Sequence, residues 1–213
     1  MFFPYKDDNP RILIPYVTYG IIAVNIFIFA FQFSDPESAA LFIYNFGLIP
    51  SDFSTLTMFT SMFLHGGIAH ILGNMWFLWL FGDNVESTLG HVKFAFFYII
   101  CGVAASLCQL LMNQGSETPM VGASGAIAGV LGLYMIRFPR ARVHVFVFII
   151  IFFTTIRVPA SIVLGFWFFN QLTNGMGSLG LDTTGGVAWF AHVGGFIAGI
   201  MLHQAFKLIR FEH

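Results

Sequence analysis

Long apolar runs, separated by short polar or charged stretches, dominate the hydrophobic pattern of this chain. A membrane-spanning helix needs about 20 predominantly apolar residues, and six runs approach that length. They cover residues 16–33, 68–84, 94–112, 124–138, 160–172 and 187–209. The pattern therefore predicts an all-α polytopic membrane protein with a bundle of six transmembrane helices.

A further apolar stretch, residues 143–156, is too short to count as a crossing. As a helix it would reach only about 21 Å. A separate crossing here would also place His192 and Ser124 at opposite faces of the membrane. Two conformations fit the stretch: an interfacial or re-entrant segment, or the start of a long fifth helix bent at Pro159. The sequence leaves both open.

Composition agrees with a membrane domain. The chain is 57% hydrophobic and 9% charged, with a mean hydropathy of +0.82, whereas soluble domains carry about 25% charged residues. We expect residues 1–15 to be a cytoplasmic N-terminal segment, 16–209 one six-span domain and 210–213 a cytoplasmic tail. The net charge of −1 gives no basic surface, so nucleic acid is not an expected partner.

The basic residues support this count of spans. All nine fall on one side of the predicted membrane, and the three opposite loops hold none. They are Lys6, Arg11, Lys93, Arg137, Arg140, Arg142, Arg157, Lys207 and Arg210. By the positive-inside rule, both termini are expected in the cytoplasm. No convincing cleavage site follows the first run, so we expect a retained anchor, in a prokaryotic plasma membrane.

Two polar side chains at the outer ends of apolar runs carry the candidate chemistry. Ser124 begins the fourth run and His192 stands near the start of the sixth. Each run continues with a G-x-x-x-G motif, which lets two membrane helices approach closely. Packing these two stripes together would bring the hydroxyl and the imidazole to the same depth, as a nucleophile and its general base. The commoner role of such stripes is packing alone.

A second polar cluster lies at the start of the second run. His70 and Asn74 are four residues apart and share one helix face, and His65 lies just upstream. These side chains serve either as interhelical hydrogen-bond partners or as donors of an oxyanion hole. No carboxylate lies in the runs of Ser124 and His192, so the pattern predicts a Ser–His dyad. No metal-ligand spacing is present, and neither a metal nor a cofactor is expected.

Three motifs together resemble the rhomboid intramembrane serine proteases. They are Gly122-Ala123-Ser124-Gly125, Ala191-His192-x-Gly194-Gly195 and His65-x4-His70-x3-Asn74. The resemblance implies hydrolysis of peptide bonds in or beside transmembrane segments of other membrane proteins. It implies that Ser124 is the nucleophile and His192 the base, and that the Ser124 N–H, His70 and Asn74 form the oxyanion hole. The active site would open to the outer side of the membrane.

Two positions depart from the pattern of familiar members. Leu56-Thr57 replaces a Trp-Arg pair in the first outer loop, and Ala128 replaces a tyrosine that stacks on the catalytic histidine. The second departure leaves the orientation of His192 open.

Further segments would complete such a site. We expect the cavity to include His65, the aromatic run 166–169 to form a side door through Trp167 and Phe168, and the glycine-rich loop 175–186 to act as a lid. The aromatic run also fits a plain core or lipid-facing stripe.

Other functions share some of these features. A catalytically inactive relative that binds or escorts membrane proteins would usually lack the serine or the histidine, and this chain keeps both. A channel would need polar inner halves in the same spans, which look apolar. A membrane-bound acyltransferase or lipase could use the same chemistry, and only the family resemblance argues against it. The oligomeric state and the natural substrate are not readable from the sequence.

Overall fold

The computed structural model describes residues 2–149, 152–178 and 187–208. In this part of the chain the fold is mostly helical. Its helices are α1 (Tyr16–Gln32), α2 (Pro36–Phe46), α3 (Thr55–Thr60) with a 3-10 turn (Ser61–Phe63), α4 (Ile68–Leu89), α5 (His91–Met112), α6 (Ser124–Arg137), α7 (Ala160–Ser178) and α8 (Trp189–Leu208). The six apolar runs correspond to α1, α4, α5, α6, α7 and α8.

Three strands add a sheet that the helical prediction did not include. They are β1 (Phe2–Asp7), β2 (Arg142–Ile149) and β3 (Phe152–Pro159), in the antiparallel order β1-β2-β3. Of the two conformations left open for 143–156, the start of a long fifth helix is wrong, because this stretch forms the β2–β3 pair and α7 begins only at Ala160. The segment is rich in valine, isoleucine and phenylalanine, which suit a pleated surface.

The sheet is joined to the bundle through valine side chains on one face of β2. Val143, Val145 and Val147 are buried in the same hydrophobic cluster as the helices α4, α5 and α6. Their alternation along the strand places them on one face. The N-terminal segment, expected only as a polar start, is thus folded against the bundle through β1.

A buried carboxylate fixes the entry of the chain into the bundle. Glu86 of α4 is fully buried and accepts hydrogen bonds from the backbone N–H groups of Val17 and Thr18, at 2.9 and 2.8 Å. The first N–H groups of a helix have no acceptor within it, and the Glu86 carboxylate supplies one for α1. Arg11 pairs with Asp83 one turn earlier on α4, at 3.0 Å.

Helix length alone identifies few crossings. Among the described residues, His91–Met112 is the one straight helix long and apolar enough to cross a membrane unaided. The bent pair Thr55–Phe63 and Ile68–Leu89, with an angle of 87° between its halves, passes the same test together. Two more apolar helices, Tyr16–Gln32 and Ser124–Arg137, are shorter. Many large apolar side chains face outward, Phe27 of α1 among them at 73% exposure.

Candidate active site

The backbone ahead of Ser124 is shaped by a glycine. Gly122 has a φ of 128°, in the region that favours glycine, and its N–H donates to the carbonyl of Ser61 at 2.9 Å. A Cβ atom at this position would lie 2.7 Å from Nε2 of His70. Gly122 therefore lets the loop pass directly beside His70 just before Ser124 begins α6.

Backbone contact between α6 and α8 brings Ser124 and His192 together. A Cβ atom added to Gly195 would lie 2.0 Å from the carbonyl oxygen of Gly125. One added to Gly199 would lie 2.1 Å from the carbonyl oxygen of Gly129. Only glycine permits this approach, so the two G-x-x-x-G motifs do pack against each other as predicted.

The hydroxyl and the imidazole are hydrogen-bonded. Oγ of Ser124 lies 2.8 Å from Nε2 of His192, and Nδ1 of His192 lies 2.6 Å from Oε1 of Gln171 on α7. Because the amide oxygen of Gln171 only accepts, Nδ1 carries the proton. Nε2 is then free to accept the proton of the Ser124 hydroxyl, which is the arrangement a general base requires.

Two tryptophans hold the imidazole ring from other directions. The ring centroid of His192 is 5.8 Å from that of Trp167 and 6.4 Å from that of Trp189, the latter in an edge contact. At position 128, where some family members have a stacking tyrosine, this chain has a fully buried alanine. The orientation of His192 is thus set by Gln171 and the tryptophans.

Sequence reasoning missed Gln171 and also Gln109. The amide oxygen of Gln109 on α5 accepts the N–H of Ala191 at 3.1 Å, which anchors the residue next to His192. Both glutamines lie buried in apolar helices, where a polar side chain indicates a specific partner. Gln171 also stands four residues after Trp167, on the same helix face. These two signals could have identified it.

A cavity of about 530 Å³ opens beside Ser124. Its walls come from α4, the loop before α6, α6 itself, α7 and the start of α8. Its polar lining includes His70, Asn74, Ser124 and His192, and Trp167 forms part of the apolar wall. In the described part of the chain, no three His, Cys, Asp or Glu side chains converge as metal ligands would.

His70 and Asn74 present N–H donors beside Ser124. The N–H of Gly66 donates to Nδ1 of His70 at 3.3 Å, so the proton of this imidazole is on Nε2, the atom nearest Gly122. Nδ2 of Asn74 is buried and has no hydrogen-bond partner among the described residues. An unpaired buried N–H group costs about 1–3 kcal/mol, a cost that an ordered water or a bound ligand removes.

Two of the expected cavity residues do not reach the cavity. His65 is fully buried behind His70, with ring centroids 5.1 Å apart, and its backbone is hydrogen-bonded to the side chain of Gln32. Phe168 is stacked on Phe196, with centroids 4.5 Å apart. Neither residue lines the cavity, so these two predictions were wrong. The histidine and the phenylalanine serve packing behind the site.

The remaining parts of the predicted gate have mixed outcomes. Phe166 and Phe169 point outward, Phe166 with 66% of its surface exposed, while Trp167 faces the cavity. The first part of the predicted lid, residues 175–178, is the last turn of α7. Residues 179–186 lie outside the described residues.

Comparison with known proteins identifies the family of this chain. A family model described as Rhomboid domain matches residues 52–208. The chain belongs to the rhomboid family. Rhomboid proteins are integral membrane proteins, so this chain is one as well.

Three curated relatives show similar levels of identity. Rhomboid protein 1, mitochondrial, of Saccharomyces cerevisiae is 30% identical over 152 residues, which are 68% of this chain and 42% of the yeast protein. Presenilin-associated rhomboid-like protein, mitochondrial, of Bos taurus is 29% identical over 170 residues, 75% of this chain and 45% of that protein. RHOMBOID-like protein 6, mitochondrial, of Arabidopsis thaliana is 29% identical over 148 residues, which are 68% of this chain and 41% of the plant protein.

These matches bear on two earlier expectations. The chain spans less than half the length of the three relatives. Their names place all three in mitochondria, which argues against the prokaryotic plasma membrane expected from the sequence. Rhomboid membership itself does not depend on the compartment.

Proposed function

We propose that this rhomboid is an intramembrane serine endopeptidase that hydrolyses peptide bonds in or near transmembrane segments of other membrane proteins. The observation that carries the proposal is the 2.8 Å hydrogen bond between Ser124 Oγ and His192 Nε2 at the wall of the 530 Å³ cavity. A serine activated by a hydrogen-bonded base, with the base oriented by a third group, is the general pattern of nucleophilic catalysis.

The first chemical step is acylation of Ser124. As its oxygen attacks the scissile carbonyl carbon, His192 takes the hydroxyl proton at Nε2, while the Gln171 oxygen holds the proton on Nδ1. The proton on Nε2 is then given to the departing amine, which leaves as the new N-terminus. Water attacks the acyl-enzyme with His192 again as base, releasing the carboxylate and restoring Ser124.

Negative charge on the carbonyl oxygen is stabilised by three donors. Ser124 is the first residue of α6, so its N–H has no acceptor within the helix. Nε2–H of His70 and the unpaired Nδ2–H of Asn74 stand beside it at the cavity wall. Donors placed where the charge develops are worth about 3 kcal/mol each in the rate. The oxyanion would supply Nδ2 of Asn74 with an acceptor, which it lacks among the described residues.

The proposal includes the membrane topology. Residues 16–209 form one domain of six spans, residues 1–15 and 210–213 are cytoplasmic, and the active site opens to the outer side. Support comes from the end of the bundle opposite the cavity, which is polar. There Arg11 pairs with Asp83 near the end of α4, and Asn9 donates a hydrogen bond to Tyr134 near the end of α6. The basic residues of the described part of the chain gather at this end, as the positive-inside rule requires of a cytoplasmic face.

The test is cleavage of a single-span membrane substrate by the purified full chain in lipid vesicles. The substrate helix carries glycine and alanine near its outer end, because a helix must unwind before its carbonyl reaches Ser124. We expect cleavage by the wild type and by the control Ser161→Ala, which lies at the start of α7 away from the cavity. Cleavage should be lost in Ser124→Ala and His192→Ala.

Two results would overturn the proposal. Cleavage that survives in Ser124→Ala means a different nucleophile. Substrate that co-purifies with the wild type but is never cut, over a panel of sequences, favours the alternative of a rhomboid-like protein that binds or escorts membrane proteins.

A further inference from the structure

The central residues of strand β3 are all exposed. Every residue from Phe153 to Arg157 is exposed, with Phe153 at 71% and Ile156 at 41%. In the order β1-β2-β3, no described strand lies on the outer edge of β3. Both faces and the outer edge of this strand therefore extend beyond the helices, although β2 beside it is buried on its valine face.

The strands run along the helix bundle rather than across its end. Asn84, near the polar end of α4, donates to the Asp7 carboxylate at 3.2 Å, and Trp76 donates its indole N–H to the carbonyl of Pro4 at 2.8 Å. Trp76 lies eight residues before Asn84, about 12 Å further along α4. Strand β1 thus runs along α4 from the polar end towards the middle of the helix. Strand β2 pairs with β1, and β3 pairs with β2.

Side-chain polarity changes in the same direction. The ends of the strands at the polar end carry Asp7, Arg142 and Arg157. Phe146 in the middle of β2 and Phe153 near the far end of β3 have their rings stacked 6.0 Å apart. Charged residues at the interface and aromatic residues beyond it are the order expected of a segment that enters the membrane from the cytoplasmic side.

An unpaired strand edge inside the hydrocarbon region of a membrane is unfavourable in free energy. No water is present there to pair with exposed N–H and C=O groups, so open sheet edges are not tolerated against lipid. The same cost falls on a substrate helix once it unwinds for cleavage. The two sets of unpaired backbone groups are complementary, and adding a strand to an exposed edge is a common way to bind an extended peptide.

The position of the sheet suits this role. Strand β1 packs against α4, which carries His70 and Asn74, and β3 leads directly into α7, which carries Trp167 and Gln171. The sheet therefore joins the inner halves of the two helices whose outer halves form opposite walls of the cavity. Strands β1 and β2 lie between α4 and β3, so the outer edge of β3 is on the α7 side of the sheet, where a substrate segment that continues from the cavity along α7 towards the cytoplasmic side would pass it.

We propose that the outer edge of β3 binds the unwound inner part of the substrate's transmembrane segment as a fourth strand, on the cytoplasmic side of the cut. This inference rests on the proposed protease function. A second copy of the chain is a poorer occupant, because two copies inserted the same way carry β3 in the same direction across the membrane. They cannot form the antiparallel pairing that the rest of this sheet uses, whereas a substrate segment whose N-terminus is cytoplasmic runs opposite to β3 and can form it.

Disulfide cross-linking tests the pairing without depending on cleavage. The background is Ser124→Ala with Cys101→Ala and Cys108→Ala, so that the substrate stays intact and no native thiol competes. Thr154→Cys and Thr155→Cys place a thiol on opposite faces of β3, since their partners on β2 are Val147 and Phe146. Single cysteines are scanned through the inner half of the substrate segment, in lipid vesicles under mild oxidation. Phe27→Cys on the exposed face of α1 is the control.

The expected pattern is that of a strand. Substrate positions that cross-link to Thr154→Cys should recur every second residue, and those for Thr155→Cys should be offset by one. Three results would overturn the proposal. They are a period of three to four residues, cross-linking yields no higher than those of Phe27→Cys, and cross-links that join two copies of the chain. Cleavage by the serine-intact protein is measured separately. Cross-links without cleavage would refute the protease function alone, and cleavage without cross-links would refute the pairing alone.

Discussion

Gln171 decides which nitrogen of His192 carries the proton. Its amide oxygen accepts from Nδ1, which leaves Nε2 facing Ser124 as an acceptor. A carboxylate in this place would bring a charge into an apolar bundle, at a high cost in free energy. A neutral amide orients the ring at a smaller cost, which explains how a dyad without an acid can keep its base in one tautomer.

Replacing Gln171 by leucine should lower kcat by about 10–100-fold. This is less than the whole contribution of a general base, about 10²–10⁴-fold, because His192 remains present but is less often in the productive tautomer. KM should be unchanged, since the Gln171 side chain does not line the cavity. The control is Asn170→Leu, the neighbouring amide, which bonds its own helix backbone at Phe166. Equal kinetics in the two variants would contradict the assigned role.

Replacing Asn74 by leucine should separate activity from stability. Loss of one oxyanion donor costs about 10²–10³-fold in kcat. The folded protein, however, loses a buried Nδ2 group that has no hydrogen-bond partner among the described residues, so its thermal unfolding temperature in detergent should stay constant or rise. Steady-state kinetics and a melting curve on the same sample check both statements. A lowered Tm with full activity would make Asn74 a packing residue instead.

At this scale the sequence predicted the residues that carry distinctive motifs and misjudged those that do not. Ser124 and His192 could be paired because small residues mark the approach of their helices. His65 was wrongly placed in the cavity because its spacing from His70 does not show on which side of the start of α4 its side chain lies. Gln171 was missed because its role depends on a residue 21 positions away.

Among the elements, the contact of α6 with α8 determines the site geometry most strongly. Replacing Gly199 by alanine forces a methyl group against the Gly129 carbonyl, 2.1 Å away. Overpacking of this kind costs about 1–3 kcal/mol. Separating the helices also lengthens the hydrogen bond from Ser124 to His192, so Tm and kcat should fall together.

The matched control is Gly20→Ala in α1, where no atom lies within 4 Å of the added methyl group. Alanine is favoured over glycine in a helix by about 0.5–1 kcal/mol, so this variant should keep its activity and gain slightly in stability. If Gly199→Ala behaved in the same way, the close approach of α6 and α8 would not be needed for function.

Helix starts were predictable where an apolar run follows a proline or a glycine, as at Tyr16, Ile68 and Ala160. Charges were poorer markers, because α4 continues past Asp83 to Leu89 and α5 begins at His91, before Lys93. The end of α7 was also missed, since this helix continues to Ser178 through residues that read as a loop. The sheet could not be predicted, because a short apolar run does not distinguish strand from helix. Its first strand also comes from the N-terminal segment, and Phe3 pairs with Phe146 far along the chain.

For the whole molecule, the two ends of the bundle have different chemistry. One end holds the cavity with Ser124, and the other holds the ion pair of Arg11 with Asp83 and the hydrogen bond from Tyr134 to Asp7. The polar end ties α4, α6 and the sheet together, so the helix that carries Ser124 is fixed at its far end. The site can then combine a water-accessible cavity with a rigid hydrogen-bonded pair.

The most direct test of the central claim is where a covalent serine probe attaches. The full chain in lipid vesicles is treated with a fluorophosphonate, and the modified residue is located by mass spectrometry. We predict one adduct, on Ser124, that is absent in Ser124→Ala and forms at least about 10²-fold more slowly in His192→Ala, because the hydroxyl then lacks its base. An adduct on another serine, or labelling of Ser124 at an undiminished rate without His192, would contradict the dyad.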